Sequence, residues 1–91
     1  MKIIFDGSIV NRSDVKVYYR AWTGDVDMRK LPYKDTNFVN QTYDAENIFT
    51  ERTIDLSGMT PFTNIQVKIV MKSTAATSVP MIKNLRILAL S

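Results

Sequence analysis

The sequence FTNIQVKIVMK (residues 62–72) carries the clearest structural signal in this chain. Every second residue from Ile65 to Met71 is apolar, and only Val70 interrupts the polar side of the pattern. A period of two is typical of a β-strand that turns one face towards a hydrophobic core. The stretch VPMIKNLRILAL (residues 79–90) predicts a second long strand. We therefore expect residues 62–90 to form a β-hairpin around which a small β domain condenses.

Three stretches further towards the N-terminus also predict strands. KIIF (residues 2–5) is a short apolar run, followed by the Asp6-Gly7 turn signal. VKVYYRAW (residues 15–22) alternates, with Val15, Val17, Tyr19 and Ala21 on one face. FTERTIDL (residues 49–56) is rich in threonine and precedes the helix and strand breakers of residues 57–61. We expect the first strand to lie beside the last one.

Residues 23–48 show no regular pattern. A connection of this length in a compact domain is functional or contains an element of its own, so we expect at least one short strand within it. No segment of the chain has a helical period. The predicted fold is therefore all-β: a small, antiparallel, jelly-roll-like β-sandwich, with residues 1–91 forming a single domain that is one module of a larger structural protein.

The predicted core consists of the apolar residues that alternation places on the inner faces of these strands. They are Val15, Val17, Tyr19, Ile54, Ile65, Val67, Ile69, Met71, Leu85, Ile87 and Ala89.

Composition excludes several kinds of chemistry. The chain has no cysteine, hence no disulfide or thiolate metal site, and no histidine, the commonest general base. The net charge is +3 and the basic residues are scattered, whereas a nucleic-acid interface needs them clustered on one face. The apolar runs are too short to span a membrane, and no secretory signal is visible. We expect no enzyme activity, no nucleic-acid partner and no membrane partner.

Loop carboxylates are the candidate metal ligands. Calcium prefers clustered oxygen ligands on loops, but these positions lack the spacing of an EF-hand loop. Loop aspartates commonly accept hydrogen bonds from nearby backbone amides and so initiate turns. We favour the turn interpretation and expect no metal and no cofactor. The residues concerned are Asp25, Asp27, Asp35, Asp44 and Glu46.

Four residues form the candidate contact surface: Tyr18, Arg20, Trp22 and Tyr33. Aromatic side chains with polar tips are common at interfaces and can also stack on sugars. The alternative is that aromatic and long basic side chains simply cover apolar surface at a sandwich edge. The serines at positions 57, 73 and 78 are candidate nucleophiles, but a Ser-His-carboxylate arrangement is impossible without histidine.

The C-terminal pattern VKIV…S…VP.IK.LR..AL, within residues 67–90, resembles the signature of β-sandwich domains in structural proteins of tailed phages, including tail and baseplate components. Residues 17–21 (VYYRA) resemble an earlier strand of the same family, and the matching stretches cover about a third of the chain. Family members tend to carry an acidic residue where this chain has Asn84 and a basic residue where it has Met81.

The resemblance implies a non-enzymatic building block of a virion, assembled in the host cytoplasm. Its implied partners are other virion structural proteins or copies of itself. The main rival hypothesis is a glycan-binding module that presents an aromatic shelf around Trp22 or Tyr33. A third hypothesis is a catalytic fragment that is completed by another domain.

Overall fold

The computed structural model describes residues 1–25, 27–57, 62–74 and 79–88. Within these ranges the regular elements are strands β1 (Lys2–Ser8), β2 (Ser13–Trp22), β3 (Lys34–Asp35), β4 (Thr50–Asp55), β5 (Asn64–Ser73) and β6 (Met81–Leu88), and a 3-10 turn at Met28–Lys30. The all-β prediction is confirmed. The described residues include no helix long and apolar enough to cross a membrane.

The strands form two three-stranded antiparallel sheets. One has the order β4-β1-β6 and the other β3-β2-β5, so β1 and β2 are the central strands. Buried side chains from both sheets form one hydrophobic cluster, which defines a small β-sandwich. A jelly roll has eight strands. The described residues form two sheets of three, and the jelly-roll connectivity stays a prediction.

The prediction that residues 62–90 form a β-hairpin is wrong. Strand β5 pairs with β2 along its whole length, from Ser13 opposite Ser73 to Trp22 opposite Asn64, and β6 pairs with β1 in the other sheet. Alternation indicates which side of a strand faces the core, but it does not indicate which strand is the neighbour. The expected pairing of the first and last strands is confirmed.

Strand β1 continues through the dipeptide that predicted a turn. Asp6 and Gly7 pair with β4 on one side and with β6 on the other. A Cβ atom at Gly7 would lie 3.3 Å from Arg52 Nη1 and 3.4 Å from Ile82 Cδ1. Glycine is therefore used here for close packing inside a strand, a role that the dipeptide signal does not distinguish from a turn.

The core is smaller than the sequence predicts. Val15, Val17 and Ile54 are buried as expected. Met71 and Leu85 are 52% and 44% exposed, and their assignment to the core is wrong. The buried apolar residues that the core prediction omitted are Ile3, Phe5 and Ile9. Tyr19, Val67 and Ile69 pack against this cluster, Ile65 and Ile87 are half-buried, and Ala89 lies outside the described residues.

The segment 36–49 crosses from β3 to β4 and contains no regular strand, whereas β3 itself confirms the short strand expected within residues 23–48. The Thr36 amide donates to the Val17 carbonyl at 3.1 Å, and the Phe38 ring packs edge-to-face on Phe5. Asn40 Oδ1 accepts a hydrogen bond from Arg52 Nε of β4 at 2.9 Å. Because the four residues from Thr36 to Asn40 span at most about 14 Å, little more than the ~10 Å between packed sheets, β3 and β4 lie at the same side of the sandwich. We call this the closed side.

The edge strands β5 and β6 then lie at the opposite side, which we call the open side. At the closed side the crossover contributes Phe38 to the core. Towards β5 and β6 its later residues Tyr43, Glu46 and Asn47 line hollows at the strand ends. The molecule is elongated, with principal extents of 42 × 26 × 19 Å.

Candidate functional site

Two core-facing side chains at the open side are exposed. Met71 lies opposite Val15, and Val15 is fully buried, so both side chains are on the inner face of their sheet. Leu85 is two residues from Ile87, which lies opposite the buried Ile3. In a closed sandwich these positions would be covered by the facing sheet.

A bulge sets the direction of the Leu85 side chain. The register between β1 and β6 shifts between Ile4 and Asp6, and Asn84 has a φ of 55° there. Asparagine adopts this left-handed conformation more readily than most residues. The extra residue restores Ile82 to the inner face opposite Gly7. Ile82, Leu85 and Ile87 therefore all point to the inner side of β6.

The outer edges of β5 and β6 have no strand partner among the described residues. An edge of this kind presents unpaired backbone N–H and C=O groups, and it can accept another strand. The open side thus combines exposed apolar side chains with two edges that no strand of the described part of the chain pairs.

A cluster of cations and aromatic rings covers the outer face of the β3-β2-β5 sheet. The guanidinium carbon of Arg20 lies 4.3 Å from the centroid of the Tyr33 ring. The Lys68 ammonium lies 5.2 Å from the Tyr33 centroid and 5.9 Å from that of Tyr18. Arg20 Nε also donates to Gln66 Oε1 at 2.8 Å. These contacts are favourable cation–π pairs on a half-buried surface.

The structure therefore brings together three of the four predicted contact residues, Tyr18, Arg20 and Tyr33. Trp22 lies on the same face two residues beyond Arg20, opposite Asn64. Lys68 was not in the predicted set because its position depends on the pairing of β5 with β2. A stacking sugar needs a free ring face, and Arg20 occupies one face of Tyr33. Glycan binding by these rings or by Trp22 stays a prediction.

A buried ion pair attaches the crossover to β1 and β4. Arg52 Nη2 lies 2.9 Å from Asp44 Oδ2, and the side chains are only 9% and 6% exposed. The other donors of the guanidinium go to Asn40 Oδ1 (2.9 Å) and to the carbonyls of Gly7 (2.7 Å), Thr42 (3.2 Å) and Thr50 (3.2 Å). A buried arginine with this many partners has a structural role.

The carboxylate of Asp44 is equally well bonded. It accepts hydrogen bonds from the Ile9 amide at 2.9 Å and from the Thr50 hydroxyl at 2.6 Å. Burial raises the pKa of Asp44, but the bonds from Thr50, Ile9 and Arg52, together with the charge of Arg52, outweigh it and hold the pKa below its ordinary value of 3.8. Asp44 is therefore an ionised structural anchor.

Sequence reasoning missed this ion pair, although part of the signal was present. Arg52 is two residues from Ile54, so alternation places both on the inner face of β4. Nothing in the sequence indicates that Asp44 is its partner, because residues 36–49 have no period.

Two of the loop carboxylates make the local bonds expected of turn residues. Asp27 Oδ1 accepts from the Arg29 amide at 3.1 Å, and Asp35 Oδ1 accepts from the Asn37 amide at 2.8 Å. In the described ranges no three or more carboxylates are grouped so as to hold a metal ion. Ser57 lies two residues beyond the end of β4, Ser73 is the last residue of β5, and Ser78 lies outside the described residues.

Comparisons with protein-family models, with curated proteins and with solved structures find no match for this chain. What the fold and the surfaces define is a class: a small, two-sheet antiparallel β-sandwich with one closed and one open side.

Proposed function

We propose that this chain is a non-enzymatic assembly module that acts through protein–protein contacts, with the open side as its main contact surface. The observation that supports this most directly is the exposure of Met71 and Leu85 at core-facing positions. Exposed apolar side chains beside free strand edges are typical of surfaces that another chain covers.

The setting that we propose is a phage tail or baseplate, where the partners are other virion structural proteins or copies of this chain. Its support is the resemblance of the strand sequences in residues 17–21 and 67–90 to those of phage β-sandwich domains. The absence of cysteine from the sequence is in keeping with assembly in a reducing cytoplasm.

A single-cysteine experiment tests the assembly function. Because the chain has no cysteine, Leu85→Cys introduces one thiol at the open side, and Asp25→Cys introduces one in an exposed loop. We expect a maleimide to label Leu85→Cys rapidly in the isolated chain. In assemblies recovered from the producing cells, labelling should be about tenfold slower or more, because the thiol reacts only after local opening. Asp25→Cys measures the general accessibility of the assembly.

Equal labelling of Leu85→Cys in the free and assembled chain would contradict the proposal. Cryo-electron microscopy of assemblies of the unmodified protein supplies a second test that does not depend on a substitution. Another chain lying against β5 and β6 is the expected result, whereas an open side in contact with solvent would count against it.

A further inference from the structure

The outer sides of two edge strands carry opposite charges at the same spacing. On β4 the exposed acidic residues are Glu51 and Asp55, and on β5 the exposed basic residues are Lys68 and Lys72. Each pair is four residues apart, which places both members on one side of a strand. Each of these strands has one edge without a strand partner among the described residues.

These charges disfavour pairing of identical edges. Two β5 strands side by side would place lysines next to lysines, and two β4 strands would place carboxylates next to carboxylates. Antiparallel pairing of β4 with β5, by contrast, places Glu51 opposite Lys72 and Asp55 opposite Lys68 when Thr53 lies opposite Val70. In the same register the apolar residues Ile54 and Ile69 lie side by side on the inner face.

The outer-face charged side chains of both strands are exposed. The crossover is bonded to β4 through Arg52, and a groove of about 280 Å³ lies between crossover residues 38–42 and β4 residues 50–53. Val39, on the outside of the same crossover, is 68% exposed. Val39 is thus exposed apolar surface at the closed side, as Met71 is at the open side.

We propose that the partner at the open side is a second copy of this chain, which places its acidic β4 edge against the basic β5 edge of the first. This inference rests on the proposed assembly function and names its partner. The contact is between unlike edges, so each added copy leaves one free β4 and one free β5. Contacts of this kind build closed rings or open filaments.

The pairing has to share or exchange contacts that these residues already make. Lys68 lies over the Tyr18 and Tyr33 rings. Lys72 lies opposite Asp14, and Asp55 lies opposite Lys2.

Glu51 accepts a hydrogen bond from Arg86 at 3.1 Å, and Arg86 also lies 3.6 Å from Asp6. If the Glu51 side chain reorients towards Lys72 of the second copy, Arg86 still has Asp6 as a partner. The Glu51 side chain is 62% exposed and is free to reorient. Such exposed pairs are weak individually, so the association is expected to weaken as salt is added.

Charge exchange tests this arrangement by sedimentation velocity at low salt over a series of protein concentrations. The β5 variant combines Lys68→Glu with Lys72→Glu, and the β4 variant combines Glu51→Lys with Asp55→Lys. We expect the wild type to self-associate. Each variant alone should associate with an affinity at least about tenfold lower, because its β4 and β5 edges now carry the same charge and repel. Mixing the two variants should restore association, and so should combining all four substitutions in one chain.

The matched control for the β5 variant combines Arg29→Glu with Lys30→Glu, which changes the net charge equally at an exposed site away from both edges. Circular dichroism establishes that each variant is folded. If the β4 variant does not fold, the β5 variant is mixed with the wild type instead. Its intact β4 edge should bind the end of a wild-type assembly, and its altered β5 edge should prevent further addition, so the assemblies become shorter. A monomeric wild type at all concentrations, or variants that associate like the wild type, would overturn the second-copy assignment. If Leu85→Cys is nevertheless protected in cellular assemblies, the assembly function stands and the occupant is a different protein.

Discussion

At the scale of single residues, the Arg52 guanidinium connects parts of the chain that are distant in sequence. It contacts the end of β1 through Gly7, the crossover through Asn40 and Asp44, and its own strand through Thr50. Removing one member of a buried ion pair leaves the other charge without its partner, which is usually more costly than the pair is favourable. This network therefore stabilises the attachment of the crossover to β1 and β4 at the closed side.

The Asp44→Asn variant should be less stable than the wild type by about 1–3 kcal/mol near neutral pH, because a charged acceptor is lost from a buried network. The wild-type carboxylate has a pKa below 3.8 when folded, so its contribution is fully present above that value and is lost as the pH falls through the folded pKa. Urea denaturation at several pH values measures the difference. We expect the two free energies of unfolding to converge as the solution is made strongly acidic.

A difference between wild type and Asp44→Asn that stayed constant from neutral to strongly acidic pH would exclude an ionised Asp44 as the stabilising group. Asp25→Asn is the control, because Asp25 lies in an exposed loop.

At the scale of elements, five strand predictions correspond to strands of the structure, with ends that differ by a few residues. The strands were predictable because β1, β2, β4, β5 and β6 contain stretches of strand-forming or alternating residues. Their pairing was not, because alternation does not identify neighbours, and so the hairpin prediction failed. Met71 and Leu85 were assigned to the core for the same reason: inner-face position follows from the period, whereas burial depends on what lies opposite.

The candidate surface shows the same limit. Tyr18 and Arg20 could be grouped from one strand, but Lys68 joins them through the β2–β5 register, and Tyr33 precedes a two-residue strand that no pattern indicates. The ion pair of Arg52 and Asp44 depends on an irregular crossover, whose course is set by tertiary contacts alone.

Side-chain truncation on the neighbouring strands β1 and β6 should distinguish a core residue from a surface residue by its cost in stability. Ile3→Ala, at a fully buried position, should cost about 2–5 kcal/mol, the range for large-to-small changes in a core. Leu85→Ala, at a position that is 44% exposed, should cost under about 1 kcal/mol in the isolated chain. Denaturation curves at low protein concentration measure both. If Leu85→Ala lowered the free energy of unfolding as much as Ile3→Ala, Leu85 would be buried in the isolated chain, and the open side would not be an exposed surface.

At the scale of the whole molecule, the chain is more extended than a compact domain of its length. Its radius of gyration is 14.4 Å, against about 12 Å expected for 91 residues. The hydrophobic core cluster of the described residues contains only six buried side chains, and a small domain with so little buried apolar surface is only marginally stable.

If copies of this chain bind one another only when folded, assembly must stabilise the fold by mass action. We therefore expect the melting temperature of the wild type to rise with protein concentration, measured by circular dichroism over a dilution series. For the variant with Lys68→Glu and Lys72→Glu, the same rise should begin only at about tenfold higher protein concentration. A wild-type melting temperature that is also independent of concentration would argue against self-association.

The position of β1 between β4 and β6 also has a consequence for folding kinetics. One edge of β1 pairs with residues 50–55 and the other with residues 81–88, so neither edge can be paired until these distant segments are available. Folds dominated by such non-local pairs form in milliseconds to seconds, since the entropy of closing long loops is lost before the contacts form. On the ribosome, Ile3 and Phe5 emerge well before their strand partners, and their apolar side chains stay exposed to aggregation until those partners are synthesised.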